Sequence, residues 1–163
     1  MRSALALALA LIATTAGSLA QEAPREVAPY CEVLKHIANL AMTKERFASI
    51  IGKPREGNYL ATTMPLAGWG DCSLYGPRTY TCDSHVLPSA EEAEKAERQI
   101  ARQIVDCLGP TWREIKEQSS RGYLVLHPAL GPASITLNLD RTGPDDGYVV
   151  RFTLFLRSLA SPR

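Results

Sequence analysis

The stretch Cys82-Asp83-Ser84-His85 is where this chain sets a thiol, a carboxylate, a hydroxyl and an imidazole side by side. A thiol and an imidazole three apart suggest zinc, but a structural zinc site takes four ligands in paired short spacings, and His36 and His127 stand alone. A serine or cysteine nucleophile needs a neighbouring base that is itself oriented. On a strand, Ser84 points away from both Asp83 and His85, so the three share no face. The chain has no G-x-S-x-G elbow, no glycine-rich phosphate loop and no C-x-x-C-H haem motif. Glu91, Glu92 and Glu94 suit the opening turn of a helix, where the backbone dipole favours negative charge, and Asp145-Asp146 suit a turn before Gly147. The carboxylate pair of a glycosidase is defined by separation in space, which spacing along the chain does not reveal. No metal and no cofactor is expected.

The cysteines, Cys31, Cys72, Cys82 and Cys107, are better suited to disulfides. The chain opens Met1-Arg2, runs apolar from Ala4 to Ala13 and reaches small residues at Ser18 and Ala20. That is the pattern of a secretory signal peptide over residues 1–20. An apolar run of about ten residues is too short to span a bilayer, and no cysteine stands at the cut to carry a lipid. A periplasmic or secreted chain meets an oxidising compartment, where two disulfides are the default. The stretch Asp71 to Asp83 folds symmetrically about Gly76-Pro77-Arg78, which places Cys72 opposite Cys82 at a separation a disulfide accepts. Cys31 is then left for Cys107. On the loop-entropy view the short bridge contributes roughly 2.7 kcal/mol and the long one roughly 4.5 kcal/mol.

Elements must position these residues, and the clearest runs from Ala90 to Gly109. Ser89 with Glu92 forms a capping box, Ala93, Ala96, Ile100, Ile104 and Cys107 recur at helical steps, and Gly109-Pro110 ends the pattern. From Pro29 another apolar stripe, Tyr30, Val33, Leu34, Ile37 and Ala41, predicts a first helix. Phe47, Ile50 and Ile51 extend that stripe to Gly52, or Thr43 caps a short helix of its own. Asn58 to Met64 reads as a strand, and Ala67 to Tyr75 with Thr79 to His85 as the cysteine hairpin. Thr111 and Glu114 repeat the capping box and predict a short helix over Trp112 to Gln118. Tyr123 to His127, Ser134 to Leu139 and Tyr148 to Leu156 alternate apolar and polar residues between turn clusters, predicting a meander with one core face and one wet face. The fold expected is α+β, a single layer of helices on one face of an antiparallel sheet, in the order α-β-β-β-α-(short α)-β-β-β. The halves repeat this order, with no shared motif to align.

Residues 21–163 are expected to form one domain. The full chain has 18 basic and 17 acidic residues, and losing Arg2 with the leader leaves the two in balance. Without a basic cluster there is no reason to expect nucleic acid or an anionic membrane as partner, and no later stretch is apolar enough to span a bilayer. What remains is contact chemistry. Strand parity puts Cys72, Leu74, Tyr80 and Cys82 on one side of the hairpin and Ser73, Tyr75 and Thr81 on the other, and continued parity adds Trp69 to the second side. Trp69 and Tyr75 are the expected contact residues, since aromatic side chains beside small ones are favoured where proteins touch. The expectation is therefore a soluble exported binding protein without catalysis, of inhibitor, immunity or chaperone type, with an unknown protein partner. The alternative is a small exported hydrolase of cell-envelope material, for which His85, Asp83 and carboxylates near the sheet surface are the candidates.

Overall fold

The computed structural model describes residues 28–115, 123–128, 131–143 and 147–156. The expected leader, Asp145-Asp146 and the far end of the expected Trp112 to Gln118 helix lie outside the described residues. Two helices, α1 (Cys31–Ala41) and α2 (Ala90–Leu108), pack against one face of an eight-stranded antiparallel sheet. The strands are β1 (Ile51–Pro54), β2 (Tyr59–Thr62), β3 (Asp71–Tyr75), β4 (Thr79–Asp83), β5 (Trp112–Glu114), β6 (Tyr123–Pro128), β7 (Ala133–Arg141) and β8 (Tyr148–Leu156). Across the sheet they run β1-β2-β3-β4-β8-β7-β6-β5. The class is α+β, but each helix is followed by four strands, which corrects the expected order of three strands and an additional short helix.

Both extra strands come from segments whose pattern is helical. The stripe of α1 ends at Ala41, where the Thr43 hydroxyl donates to Leu40 O at 2.9 Å and accepts from Arg46 N at 3.0 Å. Thr43 therefore starts a turn, followed by a single 3-10 turn at Ala48–Ile50. Phe47 and Ile50 are buried as a helical reading would have them, but Ile51 already has extended backbone and begins β1. Gly52 permits the pairing with β2, because a Cβ there would meet Ala61 O at 2.9 Å. At the opposite edge, Trp112 N donates to Gly109 O, and the chain then pairs Arg113 with His127 and Glu114 with Leu126. The strand drops Trp112 into the core while Arg113 and Glu114 stay exposed, and that burial outweighs the capping-box pattern.

Elsewhere local signals and structure coincide. In α2 the Ser89 hydroxyl accepts from Glu92 N at 3.2 Å, Ala93, Ala101, Ile104 and Cys107 are buried, and Gly109 closes the helix at φ 89°. Disulfides join Cys31 to Cys107, the start of α1 to the end of α2, and Cys72 to Cys82, directly opposed on β3 and β4. Beneath the helices, Tyr80, Phe152, Leu74, Leu137 and Leu154 are fully buried with Phe47, Leu34, Ile37 and Ile104. The Tyr80 hydroxyl reaches Met64 O at 2.9 Å, which satisfies a polar tip inside an apolar layer.

The two halves meet where β4 lies against β8, and the sheet reads the same outward from that seam. One row on the outer face runs Ala61, Ser73, Thr81, Thr153, Thr136, Val125 through six strands, a small apolar residue and two hydroxyls on either side. By the same register Tyr59-Leu60-Ala61 of β2 occupies the place of Tyr123-Leu124-Val125 of β6. This is the shared motif that the uncorrected order of elements hides. The outer face is not uniformly wet, as expected for the meander. Val125, Ser134 and Val149 are buried on it, and Ser134 Oγ has no hydrogen-bond partner among the described residues.

Candidate functional site

The outer face is open over β1 to β4 and the adjoining end of β8, and there it forms a groove of about 490 Å³. Its floor is the row of hydroxyls, Ser73, Thr81 and Thr153, with Thr79 one pair further along. Thr81 Oγ1 donates to Phe152 O at 2.9 Å and lies 3.5 Å from Thr153 Oγ1. Parity explains the composition: alternate residues of β4 and β8 turn to the helices, so their neighbours must face out.

Two arginine and aspartate pairs line the groove, and they are set by strand pairing. Asp71 stands opposite Asp83, and Asp83 stands opposite Arg151. Arg151 grips Asp83 as a fork, Nε to Oδ1 at 2.8 Å and Nη2 to Oδ2 at 3.0 Å, and gives Nη1 to Asp140 at 2.7 Å. The hydrogen bonds to Asp83 push the Arg151 guanidinium further up from an already high value, so it stays charged beside its two aspartates. Beyond the end of β1, Arg55 Nη1 donates to both oxygens of Asp71, at 2.9 and 2.7 Å. Two like charges placed opposite one another would repel, and an arginine on each relieves it.

Tyr59 and Tyr75 close one end. They are opposed on β2 and β3, their rings meet edge to face at 5.3 Å, and they are 44% and 49% exposed. Two large aromatic side chains exposed side by side make a contiguous patch, the kind of surface that marks contact sites. Past them a neighbouring hollow of about 610 Å³ continues over Leu60 and the hairpin tip Gly76-Pro77-Arg78, so the tyrosines stand between two concavities.

Trp69 is not on this surface. Gly68 adopts φ 82° and Trp69 N donates to Leu66 O, a turn that breaks the strand parity assumed for the residues before Asp71. The indole instead packs edge to face on Tyr30 at 6.2 Å and on Phe152 at 5.7 Å, on the side of the helices. The structure thus separates Trp69 from Tyr75 and brings Tyr59 to it instead. Alternation along the Asn58 to Met64 strand puts Tyr59 and Ala61 on one side, but only the pairing with β3 shows that this side is the groove and that Tyr59 meets Tyr75.

The compact polar group after β4 is also dispersed. Ser84 Oγ accepts from Val150 N at 2.9 Å and donates to His85 O at 2.8 Å, so the hydroxyl is committed to the backbone. Asp83 is held by Arg151, and His85 is exposed. Among the described residues no three histidine, cysteine or acidic side chains are grouped to hold a metal ion, and no helix is long and apolar enough to cross a membrane. No family model, curated protein or solved structure matches the chain. The chemistry of the groove is therefore argued from its own side chains.

Proposed function

We propose that this is an exported, non-catalytic binding protein that holds its ligand in the groove on the outer face of the sheet. The observation that carries the reading is the exposed Tyr59 and Tyr75 pair at the end of a groove in which both arginines are already paired with aspartates. Groups bound to neighbours are fixed before a ligand arrives, which lowers the ordering cost of association. The disulfide between Cys72 and Cys82 holds the same hairpin from below and fits an oxidising compartment. The inhibitor, immunity and chaperone roles remain forms of this proposal in which a partner inserts a segment into the groove.

One observation favours the hydrolase alternative, the placing of Asp71 opposite Asp83. Paired carboxylates of a glycosidase need one member to carry a proton to the leaving group. Here an arginine holds both oxygens of each, an arrangement suited to orienting a ligand. Binding is the reading the geometry supports better.

The test is titration of 15N-labelled protein with fractionated extract from its native cells, followed by amide shifts. Shifts gathered on β2, β3, β4 and β8 around Tyr59, Tyr75, Thr81 and Thr153, with the added compound recovered unchanged, are expected. Shifts gathered over α1 and α2, or consumption of the compound, would overturn the proposal.

A further inference from the structure

We infer that the ligand of the groove is an uncharged saccharide, an inference that rests on the binding reading above. The first argument is charge. The groove contains Arg55 and Arg151 against Glu56, Asp71 and Asp83, and both guanidinium groups are taken up by the aspartates at 2.7 to 3.0 Å. A phosphate, sulfate or carboxylate would face three carboxylates here, with both guanidinium groups already paired; Arg78, which has no ion-pair partner among the described residues, lines only the hollow beyond the tyrosines. A cationic ligand could approach Glu56 at the rim, but at Asp71 and Asp83 it would have to compete with arginines already in place. A neutral ligand disturbs neither pair.

The second argument is the kind of hydrogen bonding on offer. Ser73, Thr79 and Thr153 present hydroxyls that can donate and accept, Thr81, whose proton goes to Phe152 O, can still accept, and the carboxylates keep lone pairs beyond those given to arginine. Neighbouring hydroxyls of a sugar ring also donate and accept, so they suit a floor of this kind, whereas a peptide strand would need a free sheet edge to satisfy its backbone. The third argument is shape. A pyranose has one face of C–H bonds and a rim of hydroxyls, and it calls for an aromatic face beside fixed planar polar groups. Tyr59 and Tyr75 supply aromatic surface, about half exposed, next to the two guanidinium-carboxylate pairs. The volume of about 490 Å³, with a further 610 Å³ beyond the tyrosines, has room for more than one sugar ring.

The experiment is calorimetric titration of the folded, disulfide-bonded protein with chitohexaose, cellohexaose and maltohexaose, each taken to about 10 mM. Fully deacetylated chitohexaose serves as the cationic counterpart and oligogalacturonate as the anionic one. At least one neutral hexasaccharide is expected to bind with Kd of about 1 mM or tighter, weakened about tenfold or more by Tyr75→Ala and retained by Tyr75→Phe. Thermal unfolding of both variants is measured alongside, and Tyr75 is exposed enough for its truncation to leave the fold intact. Absence of binding to all three neutral sugars overturns the inference, as does tighter binding of either charged sugar. So does equal binding by wild type and Tyr75→Ala, or equal loss in Tyr75→Phe and Tyr75→Ala. If no sugar binds while a non-sugar fraction still shifts the groove amides, the saccharide inference fails and the binding reading stands.

Discussion

Between β4 and β8 the two faces of the sheet are built from alternate residues of the same two strands. Toward the helices the opposed pairs are Cys82 with Phe152 and Tyr80 with Leu154; toward the groove they are Thr81 with Thr153 and Asp83 with Arg151. The first set is fully enclosed and adds ring contacts from Phe47 and Trp69. The second is half exposed, and its members bind one another. Stability belongs to the first face and the capacity to recognise belongs to the second, because a side chain enclosed by helices has no surface left for a ligand. One hairpin serves both, so residues adjacent in sequence have unrelated tasks.

Substitution at two neighbouring positions of β8 breaks this comparison most sharply. Phe152→Ala empties a fully buried ring site and is expected to cost about 3 to 5 kcal/mol. Thr153→Ala, one residue on, is expected to cost about 1 kcal/mol or less. Urea unfolding of both variants checks this, and similar losses would mean that the outer face is also core.

Alkaline pH tests the enclosed face on its own. Burial pushes the Tyr30 phenol up to about 12 and the Tyr80 phenol higher still, against about 10 in an unfolded chain. The unfolded chain therefore loses these protons first. Their contribution is complete below about pH 10 and falls as the pH rises towards about 12, by about 2 kcal/mol or more. Urea midpoints across this range check it, and the Y30F/Y80F double variant is expected to lose most of the slope. An unchanged slope would place the cause elsewhere.

The smallest effect sharpens the border between the faces. Thr81 lies on the groove side but donates to Phe152 O, so Thr81→Val is expected to cost about 0.5 to 1.5 kcal/mol while altering no buried contact. A loss as large as that for Phe152→Ala would show that the hydroxyl row carries the seam.

How far the sequence foretells this molecule depends on how local each signal is. Ser89, Glu92 and Gly109 state both ends of α2 within a few residues, and the symmetry about Gly76-Pro77-Arg78 suffices to oppose Cys72 and Cys82. Ile50 and Ile51 continue a helical stripe, and only pairing with Thr62 of β2 makes the second of them a strand. Trp112 follows a helix-start signal, and only the strand beside it makes it an edge. Trp69 misleads because one left-handed glycine undoes the parity count. The groove is the least legible part. Arg151 and Asp83 are 68 residues apart, and the hydroxyl row exists only once β3, β4, β8 and β7 are in register. The likeness of Tyr59-Leu60-Ala61 to Tyr123-Leu124-Val125 was present throughout, but short matches acquire meaning only when the register makes them equivalent.

The position of β8 bears on how the molecule can be made. It is the last of the eight strands in sequence, yet it lies in the middle of the sheet, with β4 on one side and β7 on the other. A nascent chain that has produced β1 to β4 ends in an unsatisfied edge at Thr79–Asp83, and everything synthesised up to β7 leaves that edge bare. Closure of the seam must wait for Tyr148–Leu156, so the two halves of the sheet, though each can pair within itself, become one only when β8 takes its place between β4 and β7.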